Sequence, residues 1–117
     1  MEAKELRIGN YVSYATQETL ILDITRTHAE LGYYMDSVGF ERKYHEFRPI
    51  PLTEEWALRL GANNTFYNNY LDFEYFEIYE SNGIWYVEKE GVILCELKYV
   101  HQLQNLYFAL TGKELTI

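Results

Sequence analysis

At 117 residues the chain is long enough for one domain with a real core and needs neither disulfides nor a structural metal. With 48% hydrophobic and 24% charged residues it has the composition of a folded globular protein and not of a disordered tail. A formal net charge of -8 disfavours phosphate backbones as partners, most strongly in residues 53–117, where ten acids stand against four Lys and Arg.

The N-terminal half reads as short strands. In "LRIGNYVSY", Gly9-Asn10 is expected to turn the chain into a strand carrying Tyr11, Val12 and Tyr14, and "TLILDITRT" has the β-branched and aliphatic content of a second. "LGYYMDSVGF" and "RKYHEFRPI" follow as two more, punctuated by Gly32 and Gly39. Four short strands behind an Ile-Gly-Asn-Tyr-Val opening resemble a small SH3-like barrel over residues 1–52.

"FRPIPLTEEW" leaves that sheet. Pro49 and Pro51 lack amide donors and fix φ, so Arg48 to Leu52 must run extended and cannot form a central strand. Thr53 is placed to cap a short helix, with Glu54 and Glu55 at its positive end, Trp56, Ala57 and Leu60 facing the core, and Gly61 closing it. The spacing is Pro-x-Pro and lacks the Pro-x-x-Pro of a polyproline ligand.

"GANNTFYNNY" reads as an Asn-rich loop, whose Asn63-Asn64-Thr65 acceptor pattern has no consequence without secretion. "LDFEYFEIYE", "IWYVEK" and "VILCELK", joined at Asn82-Gly83 and Glu90-Gly91, predict a three-stranded antiparallel meander. On the first of these strands Glu74, Phe76, Ile78 and Glu80 share one face, and Phe73, Tyr75, Glu77 and Tyr79 the other. One face is expected to cover the core and the other to present an aromatic, acidic surface.

The closing "YVHQLQNLYFALTGKELTI" predicts a helix ended by Gly112. Tyr99, Val100, Leu103, Leu106, Tyr107 and Leu110 form its apolar stripe. Phe108 lies off that stripe beside His101, Gln104 and Asn105, on a side that one covering sheet would leave wet. Those four residues are a candidate contact for a protein partner or a second copy of the chain. The expected class is α+β, one domain over 1–117: barrel-like strands, a short helix, the meander and a C-terminal helix.

Chemistry-bearing patterns are scarce. His28, His45 and His101 are widely separated and lack ligand spacing, so no metal or cofactor is expected. Cys95 cannot form an internal disulfide and reads as a buried, inert thiol. Asp72 with Glu74, or Glu88 with Glu90, could pair along a strand, though a solvated sheet face has the same pattern. There is neither a Gly-x-Ser-x-Gly elbow nor a glycine-rich phosphate loop, and no catalytic residue is assigned. In the basic stretch "FERKYHEFR", Arg42, Tyr44 and Arg48 would alternate onto one strand face with Phe40, a candidate nucleic-acid surface opposed by Glu41 and Glu46. The start, Met1 to Glu5, lacks the basic and apolar regions of a secretory signal, and no apolar run reaches membrane-spanning length. A soluble, cytoplasmic protein is therefore expected.

"LRIGNYV", "RPIPLTEEW" and "YVHQLQNLYFALTG" together resemble an uncharacterised family of small acidic proteins encoded by gut bacteria and their phages. The resemblance covers both ends and the middle, and leaves Gln17 to Glu46 and Ala62 to Glu96 uncovered. It carries no site or activity, and implies a phage or mobile-element context in which a small binding protein is more expected than a housekeeping enzyme. The function expected is thus a non-enzymatic protein-binding module, with a small nucleic-acid-binding domain or an acidic nucleic-acid mimic as alternatives.

Overall fold

A computed structural model describes residues 1, 3–33, 39–65 and 70–117. After a short 3-10 turn at Ala3–Glu5 come β1 (Tyr11–Tyr14), β2 (Gln17–Ile24), β3 (His28–Tyr33), β4 (Phe40–Lys43) and β5 (Arg48–Pro49). They pair antiparallel in the order β4-β3-β2-β1-β5, a curled half-barrel. Of the stretch "LGYYMDSVGF", residues 34–38 lie outside the described residues. Pro49 sits opposite Val12 on an edge strand, as its missing amide requires.

The second half is α1 (Glu54–Arg59), β6 (Asn63–Asn64), β7 (Leu71–Asp72), β8 (Glu77–Ser81), β9 (Ile84–Lys89), β10 (Val92–Leu97) and α2 (Val100–Thr111). Thr53 Oγ1 accepts the Trp56 amide at 3.2 Å, so the expected cap forms, and Trp56, Ala57 and Leu60 are buried. Both tight turns of the expected meander form. Asn82 and Gly83 have φ of 53° and 80°, the left-handed pair that matches hairpin twist.

Two expectations need correction. The meander has five strands, in the order β10-β9-β8-β7-β6. "LDFEYFEIYE" is also not one strand: the chain folds back at Phe73–Phe76, where the Phe73 amide reaches the Phe76 carbonyl at 2.9 Å and Leu71 comes opposite Ile78. Asp72 drives the turn by accepting the Glu74 amide at 2.8 Å while Glu74 takes φ of 75°. Phe73 and Phe76 are consequently both buried, which strict alternation forbids. The same turn removes Asp72 and Glu74 from a shared strand side, and Glu90, at φ of 52°, lies in the β9–β10 turn instead of beside Glu88.

The core divides along β1. Successive strand residues point to opposite faces. Val12 packs with Leu6, Ile21, Ala29, Leu31 and Phe47 inside the curl, while Tyr11 joins a larger cluster with Trp56, Phe76, Ile78, Trp85, Val100 and Leu103. Ile50 to Leu52 stitches the sheets together. Leu52 donates its amide to the Lys98 carbonyl at 2.9 Å and accepts the Trp85 Nε1–H at 3.0 Å, and the Val100 amide reaches Ile50 at 2.9 Å.

Candidate protein-interaction surface

Helix α2 does not present the face that its sequence suggests. It is held between the two sheets and not beneath one, so its buried side is broader and partly polar: Val100, His101, Leu103 and Gln104 are buried, whereas Leu110, expected in the stripe, is 51% exposed. Gln104 is fully buried. Its Oε1 accepts the Tyr11 amide at 2.9 Å, and its Nε2 donates to the carbonyls of Gly9 at 3.0 Å and Leu115 at 3.1 Å. Asn105 is also committed, accepting from Asn10 Nδ2 at 2.8 Å and donating to the Glu5 carbonyl at 2.9 Å. Phe108 is the exposed member of the four, and the Arg7 guanidinium lies over its ring at 3.6 Å while also pairing with Glu114. His101, Gln104, Asn105 and Phe108 therefore do not make one wet surface.

His101 carries a testable pH dependence. Its ring stacks on Tyr99 at 5.8 Å, Nδ1 has no hydrogen-bond partner among the described residues, and burial pushes its pKa down to about 4 from the ordinary 6.5. Below pH 6.5 the unfolded chain binds a proton at this imidazole that the folded chain refuses until about pH 4, so stability declines across that interval as pH falls. Chemical denaturation at stepped pH should show His101→Phe with a shallower decline than the wild type between those limits. An unchanged slope would show that the imidazole takes up its proton equally in the folded and the unfolded chain, and would overturn this reading of its burial.

The basic candidate face also disperses. Strand β4 ends at Lys43, and Tyr44 stands in the following turn, packed on Phe47, with its hydroxyl donating to the carbonyls of Thr25 and His28. Arg42 lies on the β4 edge with its guanidinium over Tyr14 and Phe40 at 4.8 and 4.7 Å. Arg48 is on β5, at the opposite end of the strand order, with Nη1 donating to the His45 carbonyl at 2.8 Å. Only Phe40 and Arg42 share a strand face, because the turn at Tyr44 to Phe47 breaks the alternation.

The aromatic, acidic surface expected of the meander forms on the outer side of the second sheet through Glu77 and Tyr79, but the rows that cross it depend on cross-strand register. The two-residue turn at Asn82-Gly83 places Tyr79 opposite Tyr86 and Glu77 opposite Glu88, while the Phe73–Phe76 turn places Asp72 opposite Glu77. Tyr70 stacks on Tyr79 at 4.6 Å and 14°, and Tyr79 on Tyr86 at 5.4 Å and 26°. A row of tyrosines thus runs across the sheet beside a row of carboxylates, Asp72-Glu77-Glu88, with the Tyr70 hydroxyl donating to Glu88 at 3.1 Å. That hydrogen bond, after burial, holds the Tyr70 phenol above its usual range.

The sheet ends at β10, and its edge differs from the other three. Strand β4 is short and charged, β5 contains Pro49, and β6 is two asparagines, all features that discourage further pairing. Strand β10 has six residues beginning Val-Ile-Leu, and among the described residues no strand covers its outer side. A bulge between Ile93 and Cys95 interrupts the alternation, so Val92, Ile93 and Leu94 are exposed at 60%, 54% and 47%. Cys95 is half-buried, and burial pushes its thiol above the ordinary range, away from the reactive thiolate.

Enclosed chemistry is lacking among the described residues. No three of His, Cys, Asp and Glu converge where a metal could sit. A cleft of about 430 Å³ beside Thr53, Glu54, Tyr70, Glu80 and Trp85 has much of its polar lining already bonded: Thr53 to Trp56, Thr65 to Tyr70 and Trp85 to Leu52. No described helix is long and apolar enough to cross a membrane. No family model matches the chain, and neither a curated protein nor a solved structure does.

Proposed function

We propose that the protein is a non-enzymatic protein-binding module that docks a partner along β10 and the adjoining outer face of the second sheet. The observation that carries this reading is the run of exposed aliphatics, Val92, Ile93 and Leu94, on an edge strand with free pairing capacity. Such an edge offers backbone donors and acceptors for an added strand and apolar side chains for contact area. The resemblance to small phage-encoded proteins fits a module of this size. The strand order β4-β3-β2-β1-β5, a meander whose fifth strand returns to the first, supports an SH3-like reading of the half-barrel.

The test is capture from a lysate of the source cells by wild-type protein and by a Val92→Thr/Ile93→Thr/Leu94→Thr variant, which keeps strand propensity but removes apolar surface. The wild type should retain a protein that the variant loses, amides 92–96 should exchange more slowly in that complex, and the variant's stability should change by no more than about 1 kcal/mol. Identical capture by both overturns the reading. Recovery of nucleic acid that dissociates steeply with salt would favour a nucleic-acid-binding domain instead.

A further inference from the structure

We infer that the partner segment is basic: an extended strand that adds to β10 and carries arginine or lysine side chains onto the outer face of the second sheet. This rests on the docking reading above and specifies the chemistry that the surface takes.

Strand register carries both rows to the sheet edge. Ile93 stands opposite Glu88 and Glu96 opposite Tyr86, so the carboxylate row and the tyrosine row both continue onto β10. A strand added there would set its side chains about 4.8 Å further along each row. Beside Glu96, a guanidinium could pair with the carboxylate and lie against the Tyr86 ring, using its planar fork and its affinity for aromatic faces. Beside Ile93, the aliphatic stem of a long basic side chain could cover that residue while its charged end points toward Glu88.

Charge decides the sign of the occupant. Asp72 faces Glu77 and Glu77 faces Glu88, two like-charged cross-strand pairs in succession, an arrangement that costs stability. None of the three forms a salt bridge among the described residues. Glu88 receives the Tyr70 hydroxyl and Asp72 the Glu74 amide. The shallow recess of about 280 Å³ beside them adds Glu74 and Glu90 and a single cation, Lys89. A second copy would bring another -8 and the same acids to this edge, whereas a basic strand relieves the repulsion.

The experiment uses fluorescence anisotropy with a short peptide alternating arginine and valine, and the same peptide with citrulline replacing arginine. Wild-type protein should bind the arginine peptide, less tightly as salt rises, and ignore the citrulline peptide. Glu88→Gln/Glu96→Gln, which removes the two carboxylates nearest the added strand, should weaken binding roughly tenfold or more, as expected for charge-assisted pairs. Glu41→Gln/Glu55→Gln, which removes the same charge from surfaces elsewhere, should change it less than twofold. Equal weakening by both double variants would reduce the attraction to net charge and overturn the inference, as would no binding by wild type or full binding by Glu88→Gln/Glu96→Gln. In those cases the edge reading still stands if Val92→Thr/Ile93→Thr/Leu94→Thr loses its captured partner, and falls with the inference if it does not.

Discussion

Gln104→Ala should destabilise the protein by about 3 to 5 kcal/mol and lower Tm by something on the order of 10 °C. The side chain is fully buried and satisfies three main-chain groups at once: the Tyr11 amide and the carbonyls of Gly9 and Leu115. Truncation orphans all three in an interior that offers no replacement, and each such group costs about 1 to 3 kcal/mol, the amide most reliably since it has no second way to bond. Gln104→Leu separates hydrogen bonding from packing, since it restores volume without restoring polarity. Urea melts should find it nearly as unstable as Gln104→Ala. If leucine recovers wild-type stability, packing and not the hydrogen-bond set is what Gln104 contributes.

Leu103→Ala should cost about 2 to 5 kcal/mol, and Leu110→Ala no more than about 0.5 kcal/mol. The two leucines lie seven residues apart on α2 and would be equivalent on an ideal amphipathic helix. Leu103 is completely buried in the cluster that also holds Trp56, Trp85 and Val100, whereas Leu110 projects past the sheets. Thermal melts of the two variants measure how far the core extends along the helix. Equal losses would mean that the last turn is covered after all.

Local chemistry made several elements legible in advance. Thr53 before Glu54-Glu55, Asn82-Gly83 between alternating runs, and Gly112 after a helical stripe each announce a backbone conformation that few other residues suit, and each sits where expected. The turn at Phe73–Phe76 escaped because no glycine or proline marks it. Its one signal is Asp72, two residues before Glu74, which an Asx-type turn would explain. The facing of α2 was illegible for a different reason. Hydropathy assigns Gln and His to solvent, and only the tertiary partners Gly9, Tyr11 and Leu115 reveal that Gln104 is an interior residue. The tyrosine and carboxylate rows were recoverable in part: once the Asn82-Gly83 turn fixes the hairpin register, Tyr79 must face Tyr86 and Glu77 must face Glu88. Asp72 could not be added without the missed turn.

The bonds of Gln104 also constrain the order in which the chain can finish folding. Tyr11 donates to a side chain 93 positions later, and the Ile117 amide reaches the Tyr11 hydroxyl across 106. During synthesis, the first strands leave the ribosome long before those partners exist, so their inner amides remain hydrated and the Tyr11 face of β1 stays open. Closure of that face is therefore a late, long-range event, slowed by the loop entropy of the 93-position separation between Tyr11 and Gln104. Until the last helix arrives, the nascent chain must carry an aromatic sheet face without its cover, which makes this stage the one most exposed to misassociation.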